Sequence, residues 1–325
     1  MQTITRACIL TVILLLCPFI PGANSAPPQT TAPAGQQTSA VTQVQMQNVM
    51  YRFADEIAVH ILSMKGELAP TQPGGMPVFD DPSSFKMVFT SAEVSIDSQT
   101  LAKVLNRYVF AAADAPVKDA SVEIAGNVLK IKGILPSKGG VPFETDGTLS
   151  VTPQGEIRVH SEKIKMLHMS VKRIMKALGI TVAEMVSTRK VRGVRVDGDD
   201  LLLAPDQIFP PPQFQGHVTA VRMEGNQIIQ VYGNAANATG SKVSGNWMAF
   251  RGGVIRFGKL TMQDADVQLI DLDPRDPFDF YLDHYVDQLA AGYQKITTSF
   301  AIRAYMKDYD KLPKAQPKRN TRGTS

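Results

Sequence analysis

Ser121-Val-Glu-Ile-Ala-Gly-Asn-Val-Leu-Lys-Ile-Lys-Gly133 decides the fold class. Val122 and Ile124, then Leu129 and Ile131, alternate with polar residues, the period-two pattern of strands buried on one face. Gly126-Asn127 between the two runs is a tight-turn pair. The stretch therefore reads as a hairpin. Working outward, Phe85–Thr90, Glu93–Asp97, Thr148–Val151 and Glu156–His160 repeat the same short alternation and read as further strands.

Helical spacing interrupts the strands twice. Ser98 is placed as the cap of a helix that sets Leu101, Val104, Leu105, Tyr108 and Val109 on one face. A second helix is expected over about 167–178, with Val171, Ile174, Met175 and Leu178 inward and Gly179 as its stop. Thr181 and Glu184 then form a capping-box pair for a short further helix. Residues 41–66 are read as a long N-terminal helix, because Val49, Phe53, Ile57 and Ile61 recur at four-residue steps beside Met46, Met50 and Met64. Tyr281, Leu282, Tyr285, Val286 and Leu289 suggest a C-terminal helix, and Phe300–Tyr305 a last strand.

The expected fold class is α+β: strongly curved antiparallel sheets wrapped on long amphipathic helices. Three short blocks recur in order at offsets of 98–100 residues. Val94-Ser-Ile-Asp97 with Leu101 matches Val194-Arg-Val-Asp197 with Leu201. Val122, Gly126 and Asn127 match Val221, Gly225 and Asn226, and Gly155, Ile157 and Arg158 match Gly253, Ile255 and Arg256. Two related strand-rich modules, 85–189 and 190–272, follow from this reading. They are preceded by a helix and loop at 41–84 and followed by a helix and strand at 273–305. A basic tail occupies 306–325, with Lys307, Lys311, Lys314, Lys318, Arg319 and Arg322 against Asp308 and Asp310.

The N-terminus reads as an export signal. Arg6 precedes an uncharged run from Ala7 to Ile20, Pro21 and Gly22 break it, and Ala23-Asn24-Ser25 offers small residues for cleavage. The apolar stretch is shorter than the roughly 20 residues that span a bilayer. Residues 26–40, rich in Pro, Gln, Thr and Ala, read as a flexible linker. Both cysteines, Cys8 and Cys17, lie in the signal, so the mature chain is expected to have none. Disulfides, thiolate catalysis and Cys-based zinc sites then drop out. The expected location is the periplasm or exterior of a bacterium.

The chain has 325 residues, 44% of them hydrophobic and 20% charged, with a net charge of +4. That composition excludes disordered, collagenous and polytopic membrane classes, and the charge is too small to imply nucleic acid. His60, His160, His168, His217 and His284 show no metal-ligand spacing. Asp197-Gly-Asp199-Asp200 lacks the further ligands of a calcium loop and reads as a turn. Asp271, Asp273, Asp276 and Asp279 lie among prolines and read as turn and cap residues. No nucleophile elbow, P-loop or dinucleotide fingerprint is present. No cofactor is implied and no enzyme is expected. Lys163, Lys165, Lys172, Arg173 and Lys176 interleave with apolar residues, a composition suited either to anionic lipid head groups or to an ordinary solvated helix face.

Several pieces of Val94 to Tyr232 resemble LmeA-like phospholipid-binding envelope proteins. They are the 98–106 helix ending in Leu105-Asn106, the hairpin around Glu123–Gly133, Phe143-Glu-Thr-Asp-Gly-Thr-Leu149, and Asp199 to Gly216 with Pro210-Pro211-Pro212. The resemblance implies a tubular lipid-binding (TULIP-like) arrangement with acyl chains in an apolar groove. The partner so implied is phospholipid or another amphiphile, with contact to a membrane surface. The groove is expected between the two helices and the sheet. Leu101, Leu105, Tyr108, Ile174, Met175 and Leu178 would line it, and Lys172 and Arg173 would meet head groups. The alternative is a scaffolding envelope protein that binds a protein or polymer through its sheet surface and basic tail.

Overall fold

A computed structural model describes residues 41–136, 139–166, 192–234 and 245–313. The chain begins as a long hairpin, β1 (Thr42–Ala54) and β2 (Ile57–Pro70), to which β3 (Phe85–Asp97) adds antiparallel. After β3 come a single helix, α1 (Ser98–Val104), and a five-residue π segment (Leu105–Val109). The chain then builds a separate sheet from β4 (Lys118–Ala125), β5 (Val128–Leu135), β6 (Val141–Val151), β7 (Ile157–Met166), β8 (Val194–Asp197) and β9 (Asp200–Leu203). Its strand order is β4-β5-β6-β7-β9-β8, antiparallel throughout.

A short helix, α2 (Pro205–Ile208), returns the chain to the first sheet. That sheet is completed by β10 (Gln213–Gln215), β11 (Val218–Glu224), β12 (Gln227–Gly233), β13 (Trp247–Phe257), β14 (Leu260–Asp271), β15 (Phe278–Tyr281), β16 (Tyr293–Ile296) and β17 (Ile302–Met306). A six-residue helix, α3 (Tyr285–Ala290), lies between β15 and β16. The order is β11-β12-β3-β2-β1-β13-β14-β17-β16, with β10 parallel to the start of β3 and β15 parallel to the end of β1. The smaller sheet is thus inserted between β3 and β10 of the larger one.

The strand-rich half of the expected fold class is observed; the long helices are not found among the described residues. Residues 41–66 form the β1–β2 hairpin, not a helix. A four-residue step satisfies both the helical period and, being even, the strand period. The residues between decide it: Tyr51 and Val59 are as buried as Val49 and Ile61, which only alternation allows. Asp55-Glu56 makes the turn. The C-terminal helix shrinks to α3, and the helix expected at 167–178 lies outside the described residues. At α1 the cap is Asp97, whose carboxylate accepts from Thr100 N at 2.7 Å, while the Ser98 hydroxyl donates to Asn226.

Two of the three repeated blocks fall on unlike elements. Val94–Asp97 ends β3 in the larger sheet, whereas Val194–Asp197 is β8 in the smaller. Leu101 is helical and Leu201 is in a strand, while Gly155 makes a turn and Gly253 sits inside β13. The block of Val122, Gly126 and Asn127 does match that of Val221, Gly225 and Asn226: each is the first strand of a hairpin and its turn, β4–β5 and β11–β12. What the blocks share is turn chemistry, and the boundary between the sheets falls at α2 rather than at residue 190.

Aromatic residues fill the core of the larger sheet. Phe214 from β10 lies 5.0 Å from Phe53 and 4.9 Å from Phe89, ring centre to ring centre, and Tyr51 joins Phe280 of β15 at 5.7 Å. A second group surrounds Phe79, which touches Phe85, Phe250, Phe257 and Tyr285. Each such ring buries a large apolar area, so these clusters dominate the cohesion of the sheet.

Candidate amphiphile cavity

In the smaller sheet, alternation sends one set of side chains to solvent and the other inward. Outside, Lys132 meets Glu123, Lys165 meets Glu144, and Arg195 meets Glu156. The Lys165 hydrogen bond holds the Glu144 carboxyl below its usual range, and Glu156 raises the Arg195 guanidinium. These pairs are exposed and contribute little to stability. They mark the wet face.

The inward face is apolar. Leu129, Ile131 and Leu135 of β5, Phe143 of β6, Val159 of β7, Val194 of β8, and Leu201 and Leu203 of β9 line a cavity. Leu101 of α1, Leu105 and Phe110 close it from above, and Val117 before β4 completes the wall. Gly133 sits within β5 at this wall. A Cβ there would meet Val117 Cγ1 at 2.9 Å and Phe143 at 3.0 Å, so its missing side chain lets those two approach. The cavity has about 930 Å³ of empty volume, its open side included.

Three polar residues interrupt the lining, Thr145 of β6, Ser161 of β7 and Asp199 in the β8–β9 turn. Thr145 Oγ1 and Ser161 Oγ are 2.5 Å apart, and Ser161 N donates to Asp199 O at 3.1 Å. The register of β7 with β9 places Val159 opposite Leu201. One step outward, Ser161 stands beside Asp199 in the β8–β9 turn. Asp199 is exposed, so this stretch forms the rim.

Of the sequence-predicted residues, Leu101 and Leu105 line the cavity. Tyr108 does not: it is 40% exposed and points away. Lys172, Arg173, Ile174, Met175 and Leu178 lie outside the described residues. The sheet wall was not anticipated, although the alternation at 129–135 and 157–161 is its signal.

A larger, more open depression lies elsewhere, lined by Asp55, His284, Asp287, Tyr309 and Asp310 among others. It is acidic and open, and among the described residues nothing converges on a ligand there. The Asp-rich segment 271–279 folds into ion pairs instead of an open ligand set: Asp273 with Arg275 and Lys311, Asp276 with Lys311, and Asp279 with Arg52. His60 bonds Asn48 at 2.7 Å, and burial lowers its pKa. His160 bonds Asp200 on the wet face of the smaller sheet.

No family model, no curated protein and no solved structure matches this chain.

Proposed function

We propose that this chain is a non-enzymatic binder of phospholipid or another amphiphile, of the LmeA-like, tubular lipid-binding kind, exported to the envelope of a bacterium. The cavity between α1 and the smaller sheet carries the reading. It is apolar except at its rim, which suits hydrocarbon with a head group left near solvent. Each methylene removed from water contributes about 0.8 kcal/mol, so ten of them give roughly 8 kcal/mol, the scale of micromolar binding. No reactive group is required.

The test is native mass spectrometry of the chain purified without detergent, beside organic extraction of the same sample. A stoichiometric adduct that extracts as an amphiphile is expected. An apo mass that survives incubation with lipid vesicles overturns the reading. That outcome favours the scaffolding alternative, which one observation supports independently. Edge strand β16 is exposed along its whole length, its last residue Ile296 is 71% exposed and Phe300 beyond it 86%, an apolar edge suited to a protein partner.

A further inference from the structure

The amphiphile reading leaves the head group open; resting on that reading, we infer that the cavity favours an amphiphile whose head presents an amine or a hydroxyl donor, an amine-bearing phospholipid head included, over one that presents only a carboxylate or phosphate. The rim decides this. Thr145 and Ser161 spend one hydroxyl proton on each other at 2.5 Å. The Ser161 amide is already committed to the Asp199 carbonyl. What remains is one free hydroxyl proton against the lone pairs of two hydroxyls and both oxygens of the Asp199 carboxylate. The rim is therefore a surplus of acceptors and calls for a donor.

Charge points the same way. The Asp199 carboxylate has no ion-pair partner among the described residues, and among them no Lys or Arg lines the cavity. An anionic head would lie beside the Asp199 carboxylate with no basic side chain among the described residues of the lining to offset it, and like charges repel. An ammonium would supply the missing counter-charge and up to three donors. A hydroxyl would supply a donor without charge.

The experiment uses the purified chain loaded with the neutral fluorophore N-phenyl-1-naphthylamine. Four twelve-carbon competitors then displace it at pH 7.5: dodecylamine, dodecanol, laurate and dodecyl phosphate, each below its micelle concentration. Dodecylamine and dodecanol are expected to displace the probe at concentrations at least tenfold lower than the two anions. Asp199→Asn, in an exposed turn where Asn is well tolerated, should shrink the amine-over-laurate ratio about tenfold and leave dodecanol unmoved. Anions that bind as tightly as the amine overturn the head-group inference while keeping the cavity; that is the result Lys172 and Arg173 would give as head-group contacts. An unchanged ratio in Asp199→Asn overturns it too. If neither the probe nor any competitor binds, the cavity reading itself fails and takes this inference with it.

Discussion

Asp308 Oδ2 lies 2.8 Å from Lys311 Nζ, with the carboxylate side chain 1% exposed and the lysine 35%. Asp308 also accepts from the backbone of Asp279 at 2.8 Å. Burial pushes its carboxyl up to about 6, with Lys311 pulling the other way.

A carboxyl raised on folding holds its proton more tightly in the folded state. Its contribution to stability is therefore full below the unfolded value near 4 and is lost as pH rises through about 6. The loss is on the order of 2–3 kcal/mol at 1.36 kcal/mol per pKa unit. His60, lowered by burial, works in the opposite direction over part of the same range, so the comparison must be against a variant. Asp308→Asn should flatten the stability profile between pH 4 and 7, read by urea unfolding at each pH. A variant profile parallel to the parent's sinks the assignment.

Arg52 grips Asp279 through two bonds, 2.6 and 3.0 Å, and ties β1 to β15. Asp279 is only 6% exposed. Arg52→Met leaves that carboxylate enclosed with the Asp310 amide as its remaining donor. The expected loss is about 2–3 kcal/mol, somewhat below that for a fully buried pair because Arg52 is partly in water. Adding Asp279→Asn should recover most of it. A double variant no better than Arg52→Met in chemical denaturation shows that the pair's charge is not the cause.

Gly66 faces β3 so closely that a Cβ would lie 2.1 Å from the Val88 carbonyl oxygen. Backbone cannot yield as a side-chain tip can. Gly66→Ala should cost about 3 kcal/mol or abolish folding, whereas Gly126→Ala, with nothing within 4 Å, should suffer only from its positive φ. Equal melting temperatures for the two variants contradict the packing.

Phe300 holds φ at +63° while 86% exposed, so a bulky residue occupies the left-handed region with little packing in return. Phe300→Gly relieves about 1–3 kcal/mol of strain and gives back about 0.5–1 in backbone entropy. A net gain near 1 kcal/mol is expected, read as a melting temperature about 2–4 °C higher. A lower melting temperature means that the ring makes contacts the exposure conceals.

Local pattern sufficed where one period alone fits. Val128–Leu135 is β5 with the limits that alternation assigns, and the stripe of Leu101 and Leu105 faces the cavity as helical spacing requires. It failed where two periods coincide, at Val49, Phe53, Ile57 and Ile61. It failed again at Tyr108, because the backbone widens to a π segment from Leu105, and the wider turn carries Tyr108 off the stripe while Val109 is buried. The sheet wall of the cavity depends on register between residues as distant as Val159 and Leu201. Alternation places each on a face, but only the paired strands show which faces meet. The Asp-rich segment is legible as turns, but none of its Asp residues caps the next helix, since Asp279 lies in β15 and His284 holds the cap position of α3; its clasp on Lys311 and Arg52 is set by the return of the chain.

Strand β1 also imposes an order in time. Its first neighbour, β2, follows at once, but on the other side Gln47 waits for Trp247. At about 5–20 residues per second, a ribosome needs roughly 10–40 s to supply that partner. Throughout that interval a thirteen-residue strand keeps a bare edge of amides and carbonyls, open to any other growing chain. Chains that stop short of β13 are therefore expected in inclusion bodies, and the full chain should reach its native form only after nearly all of it has left the ribosome.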